Sequence, residues 1–298
     1  MKSIKIDESF EISQVTAGCM RAADAKMEGD DFLRFVETCM DMGVTTFDHA
    51  PVYGGYTCEK LFGDAVLRKQ PGLREKMQLV TKTGIVLSGK YGNKTIYYNS
   101  SKEEIIREMD ESLQNFGTDY VDILLVHRPD PLGNPAETAD ALDTLVDEGK
   151  VRYVGVSNFM PSQVEMLQSY MKNRIVINQV ELSVKNTENF FNGVTDNAFY
   201  RRMPLMAWSP LGGGSVFGGE DEQSVRLRKV LGEIAEAHDT SIDAIMYAWL
   251  FIHPVGIAAI TGTMNADRVK NAVDASEINL SYDEWYQILE ASRGYSVP

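Results

Sequence analysis

Eight short runs of apolar and β-branched residues recur along the chain, and most are followed by a segment with helical spacing. Ser101 and Glu104 form a capping box at the start of one such segment, and Gly117 ends it. Strands that alternate with helices form parallel sheets, and eight such units predict a closed (β/α)8 TIM barrel. We expect one α/β domain over residues 1–298, with a short N-terminal β-hairpin and long loops over the C-terminal mouth. The runs lie at residues 14–20, 44–50, 77–84, 121–129, 151–159, 175–183, 204–212 and 256–263.

The apolar runs become polar where they end, which in barrels of this kind is where catalytic groups stand. The second run ends in Asp48 and His49, the third in Lys82 and the fourth in His127. Burying such groups without partners would cost roughly several kcal/mol each, whereas groups around one rim can satisfy one another. His49 directly follows Asp48 and should therefore point to the opposite face and pack there. The later runs supply Ser157, Asn158, Gln179, Glu181, Trp208, Ser209, Thr261 and Thr263 to the same rim.

Composition argues against several classes of partner. The chain has 29 Lys and Arg against 43 Asp and Glu, a net charge of −14, so nucleic acid and anionic membranes are poor partners. We expect no leader segment and no membrane span, because no apolar run is long enough. Cys19, Cys39 and Cys58 form no CxxC pair and predict reduced thiols in a cytoplasmic protein. We also expect no metal site, since His238 and His253 lack ligand spacing.

Tyr53 stands in a Gly-rich turn just after the second run and is the candidate proton donor. A free tyrosine has a pKa of about 10, too high for efficient proton donation near neutrality. A neighbouring ammonium would lower this pKa, and a carboxylate would hold the ammonium in place. Lys82 and Asp48 supply these groups, and His127 offers a neutral hydrogen-bond donor to a carbonyl oxygen. General acid catalysis of this kind is worth about 10²–10⁴ in rate.

Six motifs in register resemble the aldo-keto reductase family. They are FDHAPVYGG, LVTKTG, LLVHRPD, GVSNF, NQVELS and WSPLGGG, and the resemblance covers essentially the whole chain. HRPDPL and the ending GYSVP are similar to bacterial oxidoreductases of this family. The resemblance implies a catalytic tetrad of Asp48, Tyr53, Lys82 and His127. It further implies reduction of an aldehyde or ketone by hydride transfer from NADP(H), with NAD(H) use possible.

The same resemblance implies an extended dinucleotide site across the barrel mouth. In that arrangement Ser157, Asn158 and Gln179 hold the carboxamide, and Trp208 stacks on the nicotinamide. Backbone amides of the Gly-rich turn receive the pyrophosphate, which Gly-rich backbone can approach closely. The residues of that turn are Ser209, Leu211 and Gly213, while Thr263 and Arg268 reach a ribose 2′-phosphate.

The chain departs from the family pattern at two places. Many members have a Lys where Gly262 stands, so one cationic partner of the 2′-phosphate is missing there. Arg268 remains and can make a bidentate contact, which favours NADPH. The first run ends in Gly18-Cys19-Met20-Arg21 rather than the common Gly-Thr-Trp or Gly-Tyr-Trp. We expect Met20 and Arg21 to face the cofactor or substrate.

Residues 84–91, GIVLSGKY, nearly spell a phosphate-binding loop. Tyr91 replaces the Ser or Thr that would bind magnesium, and no helix follows, so we reject that function. We expect a loop over the barrel mouth instead. Tyr91, Tyr97 and Tyr98 either line a substrate site or pack the loop down.

Three hypotheses about function follow. The first is an NADPH-dependent reductase of a small carbonyl compound, acting as a monomer or weak homo-oligomer. The second is a redox sensor or regulatory subunit that binds the dinucleotide and turns over little. The third is a barrel hydrolase or lyase with Asp48 and Glu181 as paired carboxylates, which Lys82 and GVSNF disfavour.

Overall fold

The computed structural model describes residues 1–296, so Val297 and Pro298 of the GYSVP ending lie outside the described residues. An antiparallel hairpin opens the chain, with β1 (Ser3–Lys5) paired to β2 (Glu11–Ser13). The isoleucines of the hairpin, Ile4, Ile6 and Ile12, pack against the side chains inside the barrel. Phe10 stacks on Tyr153, with the ring centroids 4.6 Å apart. The predicted N-terminal hairpin is therefore confirmed.

Eight parallel strands close into a barrel, as the alternation of apolar runs predicts. The strands are β3 (Val15–Gly18), β4 (Thr46–Asp48), β5 (Gln78–Thr83), β8 (Val121–Val126), β9 (Val151–Ser157), β10 (Ile175–Glu181), β11 (Leu205–Trp208) and β12 (Ile257–Thr261). Going round the barrel, the order is β10-β11-β12-β3-β4-β5-β8-β9. Each of the eight runs contains one strand, so the (β/α)8 prediction is confirmed.

Helices follow the barrel strands and cover their outer faces. The predicted caps are present: the Ser101 side chain accepts a hydrogen bond from the Glu104 amide, and Gly117 is left-handed at φ 73°. The helices are α1 (Gly29–Asp41), α2 (Cys58–Phe62), α3 (Lys102–Phe116), α4 (Pro135–Asp147), α5 (Pro161–Tyr170), α6 (Val194–Arg201), α7 (Ser215–Gly218), α8 (Glu222–Ala237), α9 (Ile242–Phe251), α10 (Ala266–Asp274) and α11 (Tyr282–Arg293). A π-helical turn at Gly63–Leu67 continues α2.

Apolar side chains fill both sides of the barrel wall. Val80, Ile123, Ile177 and Met206 pack inside the barrel, while larger groups pack between strands and helices. His49 belongs to the outer layer: it is fully buried, with its ring edge-on to Phe62 at 4.6 Å. This confirms that His49 points away from Asp48. Within residues 1–296, no helix is both long and apolar enough to cross a bilayer.

Candidate active site

Lys82 is the centre of a polar cluster at the C-terminal end of the barrel. It lies on β5 beside β4, which ends in Asp48, and its side chain is buried. The Lys82 Nζ atom donates to both Asp48 carboxylate oxygens at 2.8 Å, and to the His49 carbonyl at 2.7 Å. Gln179 Nε2 donates to Asp48 Oδ1 at 2.8 Å. The carboxylate therefore neutralises the ammonium and anchors it in place.

Tyr53 closes this cluster from the cavity side. The turn after β4 brings its hydroxyl to 3.0 Å from Lys82 Nζ and 3.5 Å from Asp48 Oδ2. Burial, together with the Asp48 charge, raises the pKa of Tyr53 well above its usual value. Burial also lowers the pKa of Lys82, although Asp48 opposes this. The expected lowering of the Tyr53 pKa is therefore wrong for the free protein, because desolvation outweighs the nearby ammonium.

His127 follows β8, the strand next to β5, and faces Tyr53. The two rings are 6.2 Å apart in an edge-to-face arrangement. Burial, followed by the charges of Lys82 and Arg128, holds the pKa of His127 well below its usual range. The imidazole is therefore neutral at physiological pH and can donate one N–H to an oxygen in the cavity. The four predicted catalytic residues thus meet in one place.

A cavity of about 840 Å³ opens over this cluster. Its size is typical of a site for a cofactor or a small ligand. Lys82 lies beneath it, shielded by Tyr53 and Asp48. The other residues predicted for the tetrad and the dinucleotide site line it: Asp48, Tyr53, His127, Met20, Arg21, Ser157, Asn158, Gln179, Trp208, Ser209, Leu211, Gly213, Gly262, Thr263 and Arg268.

One wall of the cavity is a chain of linked amides and hydroxyls. Asn158 Nδ2 donates to Ser157 Oγ at 2.8 Å, and Trp208 Nε1 donates to Asn158 Oδ1 at 2.9 Å. Asn158 and Ser209 both adopt positive φ, 60° and 51°, although neither is glycine. Such backbone conformations are uncommon and cluster at functional sites. The hydrogen bonds hold the Trp208 ring in a fixed orientation against the cavity.

The turn after β11 presents bare backbone to the cavity. Gly213 and Gly214 have φ values of 64° and 84°, a region where L side chains are strained. A Cβ added at either would meet no atom of the described residues within 4 Å, so the space above the turn is open. The turn therefore leaves room for a bulky anion beside its backbone, although the Gly212 and Gly214 amides already donate to the Ser209 and Leu211 carbonyls. Binding of a pyrophosphate by this turn stays a prediction.

The part of the cavity lined by the segments after β12 and β3 is cationic. Arg21 Nη1 donates to the Gly262 carbonyl at 3.3 Å, so this guanidinium occupies the space beside the Gly262 backbone. Arg268 lies in the first turn of α10, after the segment that contains Thr263. Neither arginine forms an ion pair with a carboxylate of residues 1–296. Both charges are available to an anionic ligand.

Several cavity residues were not predicted. Arg128 directly follows His127, Asp243 and Tyr247 lie on α9, and Asn271 lies on α10. Asn271 Nδ2 is 3.4 Å from Asp243 Oδ2, which links the two helices. Of these residues, only Arg128 could have been predicted from the sequence, because it directly follows His127 in the motif HRPD. The helix residues are brought to the mouth by packing that no local pattern encodes.

Two expected cavity features are absent from the described lining. Tyr91, Tyr97 and Tyr98 do not line the cavity. Tyr97 and Tyr98 form β7, which pairs with β6 (Ile85–Val86), and Tyr91 packs against Arg107. The expectation that these tyrosines line the cavity is therefore wrong, and all three side chains are exposed. Glu181 also lies outside the described cavity lining, which leaves Asp48 with a lysine partner rather than a second carboxylate. Residues 1–296 hold no cluster of three or more metal-ligating side chains.

Known proteins with similar sequences and structures agree with this geometry. The sequence profile of the Aldo/keto reductase family matches residues 14–293. The chain is 44% identical over 304 residues to the uncharacterized oxidoreductase YcsN of Bacillus subtilis, and 39% identical over 300 residues to a 6-dehydroglucose reductase of Agrobacterium fabrum. Both alignments cover 100% of each chain.

A solved structure extends the likeness to the fold. The crystal structure of the thermostable aldo-keto reductase Tm1743, bound to the inhibitor epalrestat, superposes with a TM-score of 0.81 at 25% identity. The superposition covers 98% of this chain and 100% of that one. The chain belongs to the aldo/keto reductase family and is an NAD(P)H-dependent oxidoreductase.

Proposed function

We propose that this protein is an NADPH-dependent reductase of aldehydes or ketones in which Tyr53 is the general acid. The observation that carries the proposal is the contact of the Tyr53 hydroxyl with a buried Lys82–Asp48 pair at the floor of the cavity. The dinucleotide, when bound, would supply the hydride to the substrate carbonyl carbon. The residues of the chain supply the proton and hold the oxygen.

The contacts of Tyr53 define the direction of its proton. Because Lys82 Nζ donates to the Tyr53 oxygen at 3.0 Å, the tyrosine's own proton points elsewhere, toward Asp48 or the cavity. A raised pKa keeps the phenol protonated until the substrate oxygen becomes strongly basic. As that proton leaves, the ammonium stabilises the phenolate without having to move. The neutral His127 N–H orients the substrate oxygen.

The cavity lining supports NADP(H) as the cofactor. Ser157, Asn158 and Gln179 would hold the carboxamide, with Trp208 against the nicotinamide ring. Ser209, Leu211 and Gly213 would contact the pyrophosphate, with Met20 lining the path beside them. Arg21 and Arg268 flank Gly262 and Thr263 at the far end and would share the 2′-phosphate. Arg21 thus replaces the lysine that is missing at Gly262, which is why NADPH is preferred although NADH can bind.

The name of a relative and the state of the cysteines bear on the substrate and the cellular setting. The relative from Agrobacterium is named for reduction of 6-dehydroglucose, so an oxidised sugar is the first carbonyl to test. The three cysteines are free and buried, which fits a reducing cytoplasm. We propose a single-domain monomer or weak homo-oligomer that acts on a small molecule.

Cofactor titration and one substitution test the proposal. NADPH should quench tryptophan fluorescence with micromolar or tighter affinity, and NADH should bind much more weakly. Tyr53→Phe should keep that NADPH affinity and lose turnover by about 10²–10⁴ with any aldehyde the wild type reduces. Retained turnover in the variant would remove Tyr53 as the acid. Tight NADPH binding without single-turnover oxidation by reactive aldehydes would instead identify a redox sensor.

A further inference from the structure

Arg128 is a cation in the candidate active site without an anionic partner. It lines the cavity, is half-buried, and directly follows His127. Its guanidinium makes no hydrogen bond or ion pair with any residue of 1–296, whereas Arg74, Arg107 and Arg201 each pair with a carboxylate. In a chain of net charge −14, carboxylates are plentiful. An unpaired, partly desolvated guanidinium at the mouth therefore indicates an external anion.

The acids of the cavity do not neutralise Arg128. Asp48 is held by Lys82 and Gln179, and Asp243 contacts Asn271. The neighbour of Arg128 is instead the Trp208 ring, whose centroid lies 5.8 Å from the guanidinium carbon. An aromatic face at this distance orients a guanidinium and leaves its N–H groups free.

Arg128 is also too far round the barrel to serve the cofactor's 2′-phosphate. It follows β8, and Gly262 follows β12, which is four strands away in a ring of eight. The two positions therefore lie on opposite sides of the mouth. Arg21 and Arg268 are on the β12 side, whereas Arg128 stands beside His127 and Tyr53, where the reacting carbonyl would bind.

We infer that Arg128 binds a carboxylate of the substrate, so that this protein reduces carbonyl compounds which also carry an acid group. The inference rests on the proposed function for the position of the carbonyl. A planar guanidinium matches a carboxylate through two parallel N–H donors. The carbonyl oxygen then lies between Tyr53 and His127, and the acid group a short distance along the cavity beside Trp208.

A matched pair of aldehydes tests this inference. 4-Carboxybenzaldehyde and methyl 4-formylbenzoate share ring and aldehyde and differ in one negative charge. With saturating NADPH, wild type should favour the carboxylate in kcat/KM by about tenfold or more, the scale of one charge-assisted contact. Arg128→Gln should abolish that preference, mainly through KM, and Arg128→Lys should keep part of it. Arg34→Gln, which removes one exposed arginine charge outside the cavity lining, is the matched control and should keep the preference.

Two further measurements separate the possible failures. If Arg128→Gln weakens NADPH binding as much as carboxylate selectivity, Arg128 belongs to the cofactor site and the inference is overturned. If neither aldehyde is reduced, turnover does not report on Arg128, and calorimetry with saturating NADP⁺ decides the inference. 4-(Hydroxymethyl)benzoate should then bind at least tenfold more tightly than its methyl ester in wild type but not in Arg128→Gln. Equal binding of the two alcohols by wild type would overturn it.

Discussion

At the scale of single residues, the main energetic feature of the site is the buried Lys82–Asp48 ion pair. Both side chains are almost fully enclosed, so each charge depends on the other for solvation. Removing one partner of a buried pair leaves an uncompensated charge, which typically costs about 3–5 kcal/mol. Replacing both with neutral groups avoids that penalty. We therefore expect the pair to add little to the stability of the fold by itself, in keeping with its proposed role beside Tyr53.

This argument predicts that Lys82→Met is less stable than the double variant Asp48→Asn/Lys82→Met. The single variant should lose roughly 3 kcal/mol in the free energy of unfolding, because Asp48 stays buried without its cationic partner. The double variant should recover a large part of that loss while remaining inactive. Urea unfolding at pH 7 measures both stabilities. A double variant that is no more stable than Lys82→Met would show that the pair stabilises the protein by itself.

At the scale of elements, Glu59 joins α2 to the barrel and to α3. Its carboxylate accepts hydrogen bonds from Thr81 of β5 at 2.6 Å and from Ser112 of α3 at 3.0 Å. The second oxygen, Oε2, has no partner in the described residues, and burial raises the pKa of Glu59 to about 7. The folded protein therefore holds a proton on Glu59 that the unfolded chain releases near its usual pKa of about 4.5. Ionisation of Glu59 opposes folding.

Proton binding at Glu59 determines the direction in which the stability of the protein changes with pH. Between about pH 4.5 and 7 the folded state binds more protons at Glu59 than the unfolded state, so stability falls as pH rises through this window. The fall amounts to roughly 3 kcal/mol. Glu59→Gln cannot ionise at this position. The difference between its free energy of unfolding and that of wild type should therefore rise by that amount between about pH 4.5 and 7. Urea titrations from pH 4.5 to 8 measure the gain, and the exposed Glu75→Gln should give none. A constant difference between Glu59→Gln and wild type would contradict the argument.

The strands also show which parts of the fold the sequence patterns predict and which they miss. Each predicted run contains a barrel strand, but the runs overshoot: residues 44–50 shorten to Thr46–Asp48, and 204–212 to Leu205–Trp208. The polar residues that end the runs therefore lie either in the last residues of the strands, as Asp48 and Lys82 do, or on loops just past them, as His127 does. That is why the local pattern located the rim correctly. The β6–β7 pair was missed because each strand has only two residues, too few for a periodic signal.

At the scale of the whole molecule, the barrel order brings together residues that no local pattern connects. The four candidate catalytic side chains were predicted because each ends an apolar run or follows one closely. Asp243 and Asn271 lie 28 residues apart on helices that resemble any amphipathic helix, and they meet only because α9 packs on α10. The raised pKa of Tyr53 was missed for a related reason: desolvation depends on what covers a residue. The single-domain organisation stays a prediction.

Cofactor binding tests the whole arrangement, because the proposed dinucleotide contacts span loops from opposite sides of the barrel. A ligand that binds only the folded state stabilises it by about 2.7 kcal/mol at one hundred times its Kd. NADPH should therefore raise the melting temperature by several degrees, and NADH at the same concentration by less. Arg21→Gln/Arg268→Gln should reduce the NADPH shift to that of NADH and leave the NADH shift unchanged, because only NADPH carries the 2′-phosphate that these guanidinium groups would bind. Equal loss of both shifts would instead place the two arginines on a part common to both dinucleotides, the pyrophosphate or the adenosine, and would leave the choice between them to other residues.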